Sequence, residues 1–303
     1  MAPIRGILPV IPTPMRDGEF DPESFGALLD HMSSDVDGFA LLGSTGEAPS
    51  MAVAERMRIA EQALEMTDAE QIVVVGVTTT SVRDAVELAR HAEAHGAKGV
   101  LCAAPYYFEN SAAGVLEFLR EIDAAIGIEL VLYDNPAATK THLDAAEVVR
   151  WAGELEHLRT VKLTDQALEK VAIWQEAGLD VMGGDDPINF RYLAAGVDGV
   201  MMIAPAIFPA AFAEVWRRIR DGGTEEALAV FAREVLPVLH VFGIGDEIAT
   251  TKALLNEIGI FASAESRVPL MPVDPDRRAL LRAAYDLASR ATAGRLEAEA
   301  RSG

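Results

Sequence analysis

The amino-acid sequence predicts an α/β fold, a (β/α)8 TIM barrel with a C-terminal helical subdomain. Three observations predict it. First, eight short apolar runs alternate with eight helical patterns at roughly even spacing up to about residue 222. Such alternation demands a parallel sheet, and eight units is the count that closes into a barrel. Second, residues 129–133 and 160–163 read as apolar strands joined by one helical pattern over 142–153, the strand-helix-strand unit of a parallel pair. Third, the pattern from 225 to about 298 is helical, in three stretches, and no Gly/Ser/Pro linker precedes it. The expected division is therefore a barrel over residues 1–223, carrying the functional site, and a three-helix subdomain over 224–303 packed on it.

Taken in order, residues 4–11 are an apolar, β-branched run broken by Pro9 and closed by Pro12 and Pro14. Asp21 then caps a helix with Pro22 in its first position, running to about residue 34. Residues 38–42 are the second strand, ending in Gly43-Ser44-Thr45-Gly46-Glu47, and 54–66 are its helix. The third strand, 72–77, is the most strongly patterned; Thr79, Thr80 and Ser81 cap the helix that follows to about residue 95. The fourth, 99–103, ends at Pro105-Tyr106-Tyr107 and precedes a helix over 113–126. The central pair follows, then a helix over 166–177, a seventh strand over 179–183 and a short helix over 187–195. The eighth strand is 198–203 and its helix 209–220. Helical patterns over 225–242, 246–258 and 275–293 complete the chain, the last behind Asp274 as N-cap, with residues 295–303 read as a frayed tail.

Composition narrows the function classes. The chain has 303 residues, half of them hydrophobic, enough to bury a large core. Its net charge of -21 repels phosphate backbones and anionic lipid, which argues against nucleic acid and membrane surfaces as partners. A single cysteine, Cys102, allows no intramolecular disulfide framework and suits a reducing, cytoplasmic setting. Residues 1–14 lack the basic start and apolar core of a signal peptide, and no apolar run reaches the ~20 residues needed to span a bilayer.

Catalytic groups of such barrels lie at the C-terminal strand ends. Collecting those ends gives the 43–47 loop, Tyr106 and Tyr107, Tyr133, Lys162 with Thr164, Gly184 with Asp185 and Asp186, and Met201. The set holds one amine, several hydroxyls and a loop rich in backbone donors, and no cluster of ligand-spaced histidines or carboxylates. A parallel strand is covered on both faces, burial disfavours the charged form of an amine, and a neutral amine attacks a ketone to give a Schiff base. The bland alternative for Lys162 is a lysine snorkelling to solvent. Tyr133, at the end of the neighbouring strand, is placed to transfer protons, or is a packed aromatic whose hydroxyl finds a partner. The glycine turn at 43–46 exposes N–H groups that hold a carboxylate or phosphate, or is an ordinary turn capped by Thr45. Tyr106 and Tyr107 equally suit an interface patch, and Asp185 and Asp186 a helix N-cap. His91 and His95 stand four apart on a predicted helix without a third ligand, which argues against a metal. Gly243-Ile244-Gly245 follows a helix, so it is no dinucleotide fingerprint.

The set Gly43-Ser44-Thr45-Gly46-Glu47, Pro105-Tyr106-Tyr107, Tyr133-Asp134-Asn135-Pro136, Val161-Lys162, Gly184-Asp185-Asp186 and Gly199-Val200-Met201 resembles the dihydrodipicolinate synthase / N-acetylneuraminate lyase family. These are pyruvate-dependent class I aldolases on a (β/α)8 barrel. The resemblance runs from Gly6 to about Leu287 and includes Lys252-Ala253-Leu254 and Arg267-Val268-Pro269-Leu270. It implies that Lys162 forms the imine with a 2-keto acid and that Tyr133 shuttles protons. It implies that Ser44 and Thr45 hold the keto acid's carboxylate, that Tyr107 completes a hydroxyl relay with Ser44 and Tyr133, and that Met201 lies beside the bound pyruvate. It implies no cofactor beyond the lysine imine and no metal. Because that tyrosine reaches into a neighbouring subunit's site in many members, it also implies a homotetramer built as a dimer of dimers.

Departures from the family pattern bear on the substrate. Ala138 stands where dihydrodipicolinate synthases resemble one another in placing an arginine for the aldehyde's carboxylate, and Lys140 is the nearest cation. Alanine does not replace an arginine's bidentate fork. Ala206 replaces a frequent asparagine ahead of the last barrel helix, and Lys162-Leu163-Thr164 resembles the lysine-x-threonine of sugar-acid lyases. The expected reaction is cleavage of a 2-keto-3-deoxy sugar acid, or a similar hydroxylated keto acid, to pyruvate and an aldehyde, with Thr164 and Asp185 on substrate hydroxyls. Dehydration to another keto acid, the lysine-pathway synthase reaction (pyruvate plus aspartate semialdehyde) and an idle acid-binding barrel are the alternatives.

Overall fold

A computed structural model describes residues 3–32, 35–186, 189–242 and 247–302. Strand β1 (Gly6–Ile7) is followed by a hairpin, β2 (Met15–Arg16) and β3 (Glu19–Phe20), then by β4 (Gly38–Leu41), β5 (Ile72–Gly76), β6 (Gly99–Ala103), β7 (Glu129–Asp134), β8 (Leu158–Leu163), β9 (Asp180–Gly183) and β10 (Gly199–Val200). Eight of these form one parallel sheet in the order β1-β10-β9-β8-β7-β6-β5-β4. An isolated parallel bridge, Val10 to Ala40, joins its two ends. Ile11 N–H donates to Ala40 O at 2.9 Å there, and Ala40 N–H to Pro9 O at 2.9 Å. The expected barrel is the observed one. Every residue of β4, β6 and β7 is buried, which is why these strands read as continuous apolar runs rather than alternating ones.

The helices are α1 (Pro22–Met32), α2 (Val53–Glu65), α3 (Val82–Ala94), α4 (Ala112–Asp123), α5 (Pro136–Thr139), α6 (Ala145–Ala152), α7 (Glu169–Glu176), α8 (Asn189–Ala194), α9 (Ala204–Ile207), α10 (Pro209–Arg220), α11 (Thr224–Glu234), α12 (Leu236–Phe242), α13 (Glu247–Glu257) and α14 (Pro275–Ser302). Their starts follow capping chemistry. Ser81 accepts from Asp84 N–H, Ser111 from Gly114 N–H, and Asp144 from the N–H groups of Ala146 and Glu147. Trp151 of α6 and Trp174 of α7 are fully buried, as are Leu130, Val131 and Leu132 of β7. Each such aliphatic side chain stabilises the fold by roughly 1.5–3 kcal/mol.

Two compact units emerge. One comprises Met1–Ile11 and Asp37–Met202, the other Pro12–Val36 and Ile203–Gly303. The first holds the parallel strands with α2 to α8; the second holds the hairpin, α1 and α9 to α14. No helix among the described residues is long and apolar enough to cross a membrane.

Several local expectations change. The helix expected over 225–242 breaks at Val235 into α11 and α12, because Pro237 lacks an N–H and clashes with the preceding turn. The expected frayed tail is instead helical as far as Ser302. The Arg295 guanidinium holds it, donating to both carboxylate oxygens of the buried Glu234 at 2.9 and 3.1 Å. Pro187 and Asp246 as helix starts, and the Gly243-Ile244-Gly245 segment, lie outside the described residues.

Candidate active site

The site is built on β7 and β8, whose register sets Tyr133 directly beside Lys162. Both are buried. Lys162 Nζ lies 4.2 Å from the centroid of the Tyr133 ring. The lysine passes over Gly184, just beyond β9; a Cβ at that position would stand 2.6 Å from Lys162 Cε and 2.8 Å from Thr164 Cγ2. Glycine is required there by close approach, at a φ that any residue could adopt.

Asp134 locks the ends of the two strands. Its carbonyl accepts from Thr164 N–H at 3.0 Å and from Thr164 Oγ1 at 2.8 Å. Its carboxylate, wholly buried, accepts from Lys170 Nζ at 2.8 Å, and Lys170 reaches Asp165 at 2.9 Å. Burial pushes the Asp134 carboxyl up, against the pull of Lys170. Burial would push Asp165 up as well, but there the Lys170 ammonium wins and holds the carboxyl below its usual range. The Thr164 proton is thus committed to the backbone, and the hydroxyl can meet a substrate only as an acceptor.

Asn135 serves two neighbours. Its Oδ1 accepts from Ala138 N–H at 3.1 Å, capping the short helix α5, and its Nδ2 donates to Tyr133 Oη at 3.0 Å. A phenol oxygen that already accepts this bond keeps its own proton free to give. Sequence reasoning assigned Asn135 no role, although an asparagine directly before a proline at a helix start is a capping signature.

A cavity of about 220 Å³ opens beside this pair, lined by Ser44, Tyr106, Tyr133, Asn135 and Ala138 among others. No arginine or lysine stands among its lining residues, and Lys162, though beside Tyr133, is itself outside that lining. Ser44, Tyr133 and Ala138 therefore meet in one space. Thr45 is half-buried on the same loop. Met201, fully buried, follows β10 and donates its N–H to Gly183 O at 2.8 Å. Asp185 is half-buried beside Lys162; burial pushes its carboxyl up, and the lysine's charge opposes this. Tyr107 is not brought into the cavity within one chain. It is 76% exposed, sits edge-on to Phe108 at 4.9 Å and has a left-handed φ of 85°. An exposed tyrosine held in a conformation that non-glycine residues rarely adopt marks a constrained position.

A buried amine beside a phenol can add to a ketone, lose water to give an iminium and relay the protons that each step needs. The profile of the dihydrodipicolinate synthetase family matches residues 3–287 of the sequence. The chain belongs to that family. Its members are class I aldolases and carbon–carbon lyases that use no external cofactor. The 4-hydroxy-tetrahydrodipicolinate synthase of Thermotoga maritima is 29% identical over 293 residues, covering 92% of this chain and 96% of the relative. That of Pelobacter propionicus is 30% identical over 281 residues, covering 91% and 96%. Among solved structures, one described as the first monomeric dihydrodipicolinate synthase variant superposes with a TM-score of 0.88 at 28% identity, covering 94% of this chain and 97% of the other. YagE of E. coli K12, a prophage protein of this family solved in complex with pyruvate, superposes with a TM-score of 0.87 at 26% identity, covering 95% and 99%.

Proposed function

We propose that Lys162 forms an imine with pyruvate or a related 2-keto acid and that the enzyme makes or breaks the bond at C3 of that acid. The observation that carries this reading is the buried Lys162 amine 4.2 Å above the Tyr133 ring. Attack of Nζ on the ketone carbon and loss of water give the iminium, an electron sink. The electron pair released at C3 on cleavage is held as the enamine and regains a proton, with Tyr133 as the shuttle. Ser44 and Thr45 hold the keto acid's carboxylate, and Met201 lies against its apolar side. Tyr107, exposed with its neighbour Phe108, completes the relay of a partner subunit in a dimer of dimers. A buried free cysteine suits a cytoplasmic enzyme.

For the second substrate, the reading draws support from the wall of the cavity beside Tyr133. That wall offers no cation to an aldehyde's carboxylate, and Ala138 stands in it. This favours a 2-keto-3-deoxy sugar acid or similar hydroxylated keto acid, cleaved to pyruvate and an uncharged aldehyde, with Asp185 and the accepting side of Thr164 meeting hydroxyls. Dehydration would start from the same iminium but keep the C3–C4 bond: loss of a C3 proton gives the enamine of the intact acid, which expels the C4 hydroxyl as water. The synthase reaction on aspartate semialdehyde is the second reading, favoured by the names of the curated relatives at 28–30% identity.

Borohydride reduction in the presence of pyruvate, followed by intact-mass measurement and peptide mapping, tests the imine. A pyruvate-dependent adduct on Lys162, absent in Lys162→Ala, is expected. No adduct with any of a panel of 2-keto acids would overturn the mechanism. Aldehyde release from sugar acids, compared with condensation of pyruvate with aspartate semialdehyde, separates the two substrate readings.

A further inference from the structure

Outside the strand ends, one cluster of side chains has the composition and geometry of a ligand set. His91 of α3 and His95, the residue that caps its C-terminus, stand one turn apart, and Glu61 of α2 faces both. His91 Nε2 lies 3.9 Å from Glu61 Oε2, and His95 Nε2 lies 3.6 Å from Glu61 Oε1. One ligand atom from each of the three falls within 4.8 Å of the others, and all three residues are half-buried. The glutamate supplies the third donor that the histidine spacing alone lacked. It lies thirty positions before His91, beyond the reach of any spacing argument.

We propose that Glu61, His91 and His95 bind a divalent first-row transition ion of the zinc class, which pins α2 to α3. The donor set is the first reason. Two imidazoles and a carboxylate suit such ions better than calcium or magnesium, and three protein ligands leave a fourth position for water. The second reason is orientation. His95 Nδ1 lies 2.8 Å from the carbonyl oxygen of His91. A carbonyl only accepts, so Nδ1 carries a proton, and Nε2 is the ring nitrogen turned towards Glu61. The third is distance. Metal bonds of about 2.0–2.1 Å at tetrahedral angles set ligand atoms roughly 3.4 Å apart, and the two nitrogen–oxygen pairs already stand at 3.6 and 3.9 Å within a set no wider than 4.8 Å. The two imidazole rings stack at 4.1 Å, which keeps both on the side of α3 that meets Glu61. None of the three belongs to the machinery proposed for the aldol reaction, and the ion is a structural clamp.

The test uses the full chain, without a histidine tag, stripped with EDTA. Titration with Zn²⁺ by calorimetry and with Co²⁺ by visible absorption is expected to give one site per chain, with a Co²⁺ spectrum of nitrogen and oxygen ligation. His95→Gln and Glu61→Gln are each expected to weaken Zn²⁺ by about 100-fold, at the upper end of what outer-shell losses alone produce. Circular dichroism and pyruvate turnover should stay at wild-type values in both, since neither residue touches the strand-end site. Absence of saturable binding at mid-micromolar Zn²⁺ would overturn the proposal. So would binding that survives His95→Gln, and so would binding unchanged in Glu61→Gln, which would leave only a histidine pair.

Discussion

Gly184 leaves open the space through which Lys162 passes: a Cβ there would stand 2.6 Å from the lysine's Cε. Gly184→Ala should displace the amine without unfolding the barrel. Kcat/KM is expected to fall by about 100-fold, the loss that a misplacement of about 1 Å can bring. Steady-state kinetics beside a thermal melt checks it. Wild-type turnover would show that the lysine has room to spare.

Tyr133→Phe removes the hydroxyl but keeps the ring under Lys162. Turnover should drop by about 10²–10⁴-fold, the usual reach of a general acid–base, while borohydride still traps pyruvate on Lys162. Asn135→Ala should give a smaller loss, because it removes only the donor to Tyr133 Oη. Equal rates in wild type and Tyr133→Phe would dismiss the tyrosine as the shuttle.

Lys170→Met strands the buried Asp134 carboxylate and frees Asp165. Breaking one side of a buried pair typically costs about 3–5 kcal/mol. Urea unfolding should show a loss of that order. Because Asp134 also receives both bonds from Thr164, activity should fall together with stability. An unchanged urea midpoint would mean that the pair does not hold the strand ends.

Asp185→Asn should raise the melting temperature at neutral pH. The folded-state carboxyl is pushed above its ordinary value of 3.8 by burial, so the native state holds its proton more tightly than the unfolded chain does. Below that ordinary value both states are protonated, and no penalty exists. As the pH rises through the folded-state value the wild type must bury a charge, and that penalty persists above it. Melts of both proteins across the pH range should coincide at the acid end and separate with the variant ahead. A variant that melts lower at pH 7 would show that the charge of Lys162 outweighs burial.

The barrel was legible because its strands are buried on both faces, as the unbroken apolar run of residues 129–133 records. Lys162 and Tyr133 were legible for a related reason: a polar group at the end of such a run is conspicuous. What escaped was either short or distant. The hairpin of β2 and β3 turns at Asp17-Gly18, both at positive φ, an Asp-Gly turn signal overshadowed by Pro12 and Pro14. Helices α5 and α9 span four residues each, too few to show a period. Gly184's closeness to Lys162, the Lys170 link to Asp134 and the approach of Glu61 to His91 depend on how neighbouring units pack, and spacing within one element does not encode that.

The bridge between Val10 and Ala40 gives the ring a seam. The strand beside it, β1, and its neighbour β10 are two residues long, whereas β7 and β8 are six each. Short ladders let go first when a structure breathes. Amide hydrogens at the seam should therefore exchange with solvent long before those of β7 and β8, which lie in the middle of the strand order. The barrel can loosen at its join many times over while the lysine and tyrosine remain side by side.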